Sequence, residues 1–260
     1  MLFELRELLK IWKIDPNCVL HVGAHEAEES ISYENNGWIP IVWIEGQVNL
    51  AKKLKKKLNP EIHLVLQGFI YSRDYQVMRF NVASNSQSSS LLEFGSHSID
   101  YPEIEITDTV EIKTVRLDTL ISKSKAGMEY ISKGKIFLNL DIQGSELDAL
   151  RSMGVLLEKI DYIYTEVNKR EVYRDCAKVE EIDAFLNKFG FIRVETRWIF
   201  GKGWGDALYL KKNQLNRVAV SNFSILQESR IFIRRAVWNS KQIYQVVKTS
   251  VYSCLFKSSI

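Results

Sequence analysis

Residues 135–150 read Lys135-Ile-Phe-Leu-Asn-Leu-Asp141-Ile-Gln-Gly-Ser-Glu146-Leu-Asp-Ala-Leu150, and this stretch decides the fold. It begins as an apolar run, the pattern of a strand covered on both faces. The run ends at Asp141. Gln143-Gly144 makes a turn, and Ser145 and Glu146 open a helix with apolar positions at Leu147, Leu150 and Met153. Strand, tight turn and helix in that order predict a parallel sheet with a carboxylate at the carboxyl end of a strand. In open α/β sheets that edge is where ligands bind. A buried acid is costly unless something pairs with it, so Asp141 is the first candidate for a functional residue.

The alternation continues outward. An amphipathic helix is expected over roughly residues 2–13, before Asp15-Pro16, and a first strand over 17–23. A polar helix over about 26–36 stops at Asn36-Gly37. A second strand spans 39–45. A helix over 49–58 sets Leu50, Leu54 and Leu58 against five lysines, and a third strand follows over 62–69. The lysine run reads as a solvated helix face. Residues 76–82 and 110–115 alternate at period two and predict an antiparallel pair, joined by a long loop that starts with the serine-rich stretch 83–90. A loop of that length in a compact domain is usually functional or mobile. Beyond Asp141, a strand is expected over 160–166, a helix over 179–189 stopped by Gly190, and a terminal strand pair over 191–200 and 206–210. The expected fold is α/β: a Rossmann-like, mostly parallel sheet with a terminal antiparallel strand and helices on both faces. The expected organisation is an N-terminal helix over 1–16, a catalytic domain over 17–212 and a C-terminal tail over 213–260.

Composition fits that frame. The chain has 260 residues, 46% hydrophobic and 26% charged, enough for a sizeable core. Three widely spaced cysteines, Cys18, Cys176 and Cys254, form no CxxC or Cys/His cluster. They point to inert thiols in a reducing, cytoplasmic compartment. The acids in the first ten residues do not suit a secretory signal, and no apolar run reaches the length of a membrane span. The net charge of +3 hides a split. Residues 211–260 carry nine Lys/Arg against the single acid Glu228, a balance of +8, which leaves −5 for the rest. The tail spaces Ile231, Ala236, Ile243, Val247 and Val251 among its basic residues, a loosely amphipathic helical pattern. Such a segment can lie on an anionic membrane surface or pack on the domain or a second subunit, and packing is favoured. Nucleic acid ranks below both, because the body is acidic and no RNA or DNA motif is present.

Val22-Gly23-Ala24-His25 sits between the first strand and its helix, where small residues let a backbone approach a ligand. Glu45 ends the second strand, 22 residues after Gly23. An acid about 20 residues beyond such a turn is placed to accept the two ribose hydroxyls of an adenosine. The turn has neither the spaced glycines that cradle a pyrophosphate nor a phosphate loop. A ligand with ribose and no phosphates fits better, and S-adenosylmethionine is one. Gly23, Ala24, His25 and Glu45 are the candidate cofactor-binding residues.

Several segments carry a family resemblance in the right order: residues 19–29, Val42-Trp-Ile-Glu45, Val115-Arg-Leu-Asp118-Thr-Leu, Leu140-Asp-Ile-Gln-Gly-Ser-Glu146, then Glu166, Gly190-Phe191 and Trp204-Gly-Asp206. With these, the chain resembles the FkbM-type methyltransferases, a branch of the class I S-adenosylmethionine-dependent enzymes, over roughly residues 17–211. The resemblance implies cofactor contacts at Gly23, Ala24 and Glu45, Asp141 at the active edge, and a hydroxyl of a sugar, glycan or other small metabolite as acceptor. The chain departs from the commonest pattern at His21, where an acid is frequent, and at Ala27, where glycine is frequent. The first departure removes a carboxylate that could hold the cofactor's ammonium group.

Methyl transfer to oxygen is an in-line displacement that needs alignment and a proton acceptor. Asp141 and Glu166 are the catalytic candidates; Glu146, Asn168, Asp206 and His25 are expected at the same edge, and Trp204 as an acceptor wall. Glu146 has an ordinary explanation in the helix dipole. No fixed ligand spacing points to a metal. The rival readings are an NAD-dependent oxidoreductase, which shares the strand-end acid but needs the missing pyrophosphate turn, and a non-catalytic cofactor-binding relic serving as an interaction module.

Overall fold

The computed structural model describes Leu2 and residues 5–214; from residue 215 onward the expected basic tail lies outside the described residues. The first half runs α1 (Leu5–Trp12), β1 (Cys18–Val22), α2 (Ser30–Asn35), β2 (Ile41–Glu45), α3 (Val48–Lys57), β3 (His63–Gln67), β4 (Phe69–Ile70), β5 (Val77–Ala83), α4 (His97–Asp100) and β6 (Ile106–Val115). The second half runs α5 (Leu117–Ser122), α6 (Lys125–Ser132), β7 (Ile136–Leu140), α7 (Glu146–Arg151), β8 (Ile160–Asn168), α8 (Val179–Lys188), β9 (Phe191–Trp198) and β10 (Trp204–Lys211).

Seven strands form one sheet in the order β3-β2-β1-β7-β8-β10-β9. Strands β3, β2, β1, β7 and β8 are parallel, and β10 runs antiparallel between β8 and β9. This is the Rossmann-like α/β sheet expected from the sequence. Its strand order reverses between β1 and β7, the place where open α/β sheets leave a crevice. A smaller sheet, β4-β6-β5, stands beside it.

Period-two alternation sends the side chains of β1 and β7 to both faces, and both strands are buried throughout. From β1, Cys18, Leu20 and Val22 face a core completed by α5, α6, α7 and α8; from β7, Ile136, Leu138 and Leu140 face the same way. The intervening Val19 and Phe137 face the opposite core, which Leu5 and Leu8 of α1, Tyr33 of α2, and Ala51 and Leu54 of α3 complete. The five lysines of α3 are exposed, as a solvated face requires.

Two local expectations change. Helix α2 begins at Ser30, four residues later than expected, because His25 and Ala27 hold positive φ values of 45° and 56°. Left-handed residues cannot sit in a right-handed helix, so residues 24–29 form a turn. The serine-rich segment is folded: Asn81 pairs with Ser90, and Ser86–Ser88 makes a helical turn under an Asn85 side-chain cap. No helix among the described residues is long and apolar enough to cross a membrane.

Candidate active site

The carboxyl ends of β1, β2 and β7 open on a cleft. Gly23 sits at its floor with φ +91°, and a Cβ there would lie 1.7 Å from the Asp141 carbonyl oxygen. Only glycine lets the ends of β1 and β7 approach this closely. Glu45 is 6% exposed and lines the cleft. Its Oε2 accepts from the His25 N–H at 2.8 Å and its Oε1 from the Gln47 N–H at 2.7 Å. These bonds hold the carboxylate in place, and its remaining acceptor capacity can serve hydroxyl groups in the cleft. Burial raises the Glu45 carboxyl above its usual range, and the backbone N–H bonds oppose that. Phe69 and Phe80, with ring centroids 4.8 Å apart, form the apolar wall together with Ile70, Leu91 and Ile142. An apolar wall beside a fixed diol acceptor suits an adenosine.

Of the candidate cofactor residues, Gly23, His25 and Glu45 meet in this cleft. Ala24 does not: its N–H bonds the Ile44 carbonyl and its methyl group is buried in the core under α2 and α3. The His25 ring is fixed at both nitrogens, Nδ1 at 2.7 Å from Glu28 and Nε2 at 2.8 Å from Ser86. It therefore ties the serine-rich segment over the cleft.

A second, larger cavity adjoins the first, and Gly23, His25, Gln87, Asp141 and Gln143 line both. Its further walls include Glu166, Asp206, His97, Tyr101, Tyr173 and Trp204. Asp141 is exposed, which corrects the expectation that it is the buried acid of the edge. It lies one residue beyond the end of β7, where the backbone leaves the sheet. Besides Glu45, the buried acids are Glu146 (2% exposed), Glu166 (6%) and Asp206 (6%). Glu146 accepts the Ile142 and Gly144 N–H groups, both at 3.1 Å, and so clamps the turn after β7. Burial, with the Asp141 charge, pushes its carboxyl up to about 7.

Glu166 and Asp206 are paired residues on β8 and β10. Glu166 is pushed well above the usual carboxyl range by burial and by the charges of Glu146, Asp141 and Asp206. Asp206 is pushed up to about 6 by burial, while a hydrogen bond from the Tyr164 hydroxyl and one from the Leu2 N–H at 2.7 Å pull it back. Asn168 lines neither cavity; Trp204 lines the second, its Nε1 donating to the Tyr101 hydroxyl at 3.2 Å. His21 is buried, its ring 4.8 Å from that of Trp43, and burial lowers its basicity. Among the described residues no cluster of three His, Cys, Asp or Glu side chains could hold a metal ion.

Sequence reasoning passed over Gln143, Tyr173 and the Phe69/Phe80 pair. Gln143 was visible inside the deciding stretch. The aromatic residues come from segments distant in sequence, and nothing local marks them.

Residues 21–193 match the model of the methyltransferase FkbM domain. The chain belongs to this family. A curated relative, the 2-O-methyltransferase NoeI of Sinorhizobium fredii (strain NBRC 101917 / NGR234), is 27% identical over 114 residues, 44% of this chain and 44% of that protein. The FkbM-domain chain thus matches less than half the length of this relative. Among solved structures, the magnesium protoporphyrin IX methyltransferase ChlM of Synechocystis PCC 6803 with bound SAM aligns with TM-score 0.43 and 9% identity, covering 80% of this chain and 76% of that one. The Streptococcus pneumoniae protein Sp1610, described as a putative tRNA (m1A22) methyltransferase, aligns with TM-score 0.41 and 13% identity, covering 93% and 86%. The match to the FkbM domain bears out the family resemblance carried by the sequence segments.

Proposed function

We propose that this protein is an S-adenosylmethionine-dependent O-methyltransferase acting on a hydroxyl of a sugar, glycan or other small metabolite. The observation that carries the reading is the shared wall. The cleft with adenosine chemistry and the larger polar cavity meet at Gly23, His25, Gln87, Asp141 and Gln143. A group passed from a donor in one to an acceptor in the other crosses at those residues. Membership in the methyltransferase family names the group, and the 2-O-methyltransferase relative points to oxygen as its acceptor.

Bound S-adenosylmethionine supplies an electrophilic methyl on a sulfonium. The protein's own work is alignment and proton removal. Glu45 would accept the ribose hydroxyls of the cofactor, and Phe69 and Phe80 would cover its adenine. Asp141, open to the junction of the cavities, is the proton acceptor. Glu166 holds its own proton well above the usual carboxyl range and orients the acceptor. Trp204 and Tyr101 give the acceptor an aromatic wall. NAD would need a glycine-lined seat for its pyrophosphate, and here the turn after β1, Gly23-Ala24-His25-Glu26-Ala27, holds a single glycine.

The test is isothermal titration of the full chain with S-adenosylhomocysteine and, separately, NAD. The first should bind stoichiometrically and the second should not. Binding of NAD alone overturns the reading in favour of an oxidoreductase, and binding of neither overturns it altogether. Transfer of labelled methyl from S-adenosylmethionine to a panel of oligosaccharides then tests the acceptor class.

A further inference from the structure

Gln143 is a neutral residue in the turn after β7, with a left-handed backbone at φ +53°. Such a backbone in a non-glycine residue persists only where the surroundings fix it, and here every polar group of its side chain is engaged. Oε1 accepts from the Tyr173 hydroxyl at 2.5 Å. Nε2 donates to Asp141 Oδ1 at 2.6 Å and to Glu166 Oε2 at 3.3 Å. Turning the amide over would set its oxygen against two carboxyl groups, so the chemistry of the neighbours fixes its orientation. The Gln143 carbonyl in turn accepts from Ser90 Oγ at 2.6 Å, at the end of the serine-rich segment. Tyr173 is itself buried, in the loop after β8. One residue thus joins four separate parts of the chain where the two cavities meet.

We propose that Gln143 is a positioning residue: it latches Tyr173 to Asp141 and Glu166 and sets the orientation in which the two carboxyl groups meet the acceptor. The inference rests on the reading of the cavities as donor and acceptor sites. The amide spans two acids without adding charge. It holds Glu166 among Asp141, Glu146 from α7, Asp206 from β10, and Tyr173 and Cys176 from the loop after β8, the other titratable groups that face it. Glutamate at 143 would face two further carboxyl groups with a third, and asparagine is one methylene too short to reach both.

The experiment follows the Glu166 carboxyl in the full chain by NMR of side-chain carbon-13 labelled glutamate, assigned by its loss in Glu166→Gln. Gln143→Met keeps the length and apolar stem but removes all three side-chain hydrogen bonds. The latch predicts that the Glu166 titration midpoint moves up by about one pH unit in Gln143→Met, the scale of one hydrogen bond to a charged group. Tyr173→Phe should move it the same way by less, since the amide keeps its bonds to the carboxyl groups but loses the one that anchors its oxygen. An unchanged midpoint in a folded Gln143→Met overturns the proposal. If that variant does not fold, an unchanged midpoint in Tyr173→Phe does so. Titration of the wild-type chain with S-adenosylhomocysteine keeps the two readings apart: failure to bind refutes the donor site, while the Glu166 midpoints still decide the latch.

Discussion

Glu45→Gln isolates the charge that the cofactor reading requires. The structure gives Glu45 two duties. Its oxygens accept the N–H groups of His25 at 2.8 Å and Gln47 at 2.7 Å, and the carboxylate lines the cleft. The amide keeps one carbonyl oxygen and places an NH2 group against the other backbone N–H. One ribose hydroxyl then loses a charged acceptor, worth roughly 1.5–3 kcal/mol, and the other trades a charged acceptor for a neutral one, worth about 1 kcal/mol more. Relief of the buried charge offsets part of that sum, because burial already disfavours the Glu45 anion. The affinity for S-adenosylhomocysteine should fall between ten-fold and a few hundred-fold, at about 1.4 kcal/mol per factor of ten. The lost backbone partner should also lower the melting temperature, so calorimetric titration and thermal unfolding belong together. A pH series adds a second signature. Glu45 titrates above the ordinary glutamate range, so wild-type affinity should weaken as pH falls through that region, while the glutamine variant should show no such dependence. An affinity within two-fold of wild type in Glu45→Gln refutes the assignment, whatever happens to the melting temperature.

Three further perturbations test other parts of the site. Gly23→Ala sets a methyl group 1.7 Å from the Asp141 carbonyl in a left-handed backbone, so it should lower the melting temperature and cost more than ten-fold in S-adenosylhomocysteine affinity; wild-type values for both would contradict the close approach of β1 and β7. Asp141→Asn should reduce methyl transfer to a sugar acceptor at least a hundred-fold while leaving the melting temperature within a few degrees, because the side chain is exposed; a stability change with normal turnover would make the residue structural. Asp206 is raised from an ordinary 3.8 to about 6, so the native state holds its proton more tightly than the unfolded chain. Its contribution is full below about pH 4 and is lost as pH rises through about 6, roughly 3 kcal/mol in all. Guanidinium unfolding at pH 4.5 and 7.5 should show a smaller fall in stability for Asp206→Asn than for wild type, and an equal fall would refute the burial argument.

The sequence alone determined the sheet. Residues 135–150 carry strand, turn and helix in local signals: an apolar run, Gln143-Gly144, then acids in a first helical turn. The same grammar repeats at 17–36 and 39–58, which forces a parallel arrangement because each strand is followed by a helix that must return across the sheet. The Gly23 and Glu45 pairing was legible for the same reason: both positions follow from strand ends. The family resemblance, too, lay in ordered local segments. What the sequence could not decide is set by contacts between distant residues. Asp141 was expected to be the buried acid, yet it is exposed, and the desolvated carboxyl groups are Glu45, Glu146, Glu166 and Asp206. Ala24 stands next to Gly23 in the chain but turns into the core, because φ at Gly23 reverses the backbone there. Phe69 and Phe80 meet only through pairing in the small sheet, and Gln143 reaches Tyr173 and Glu166 only because β7 and β8 lie side by side. Local pattern fixes which residues reach the edge of the sheet; burial and hydrogen-bond partners, which set the chemistry of each group, depend on what the rest of the chain brings against them.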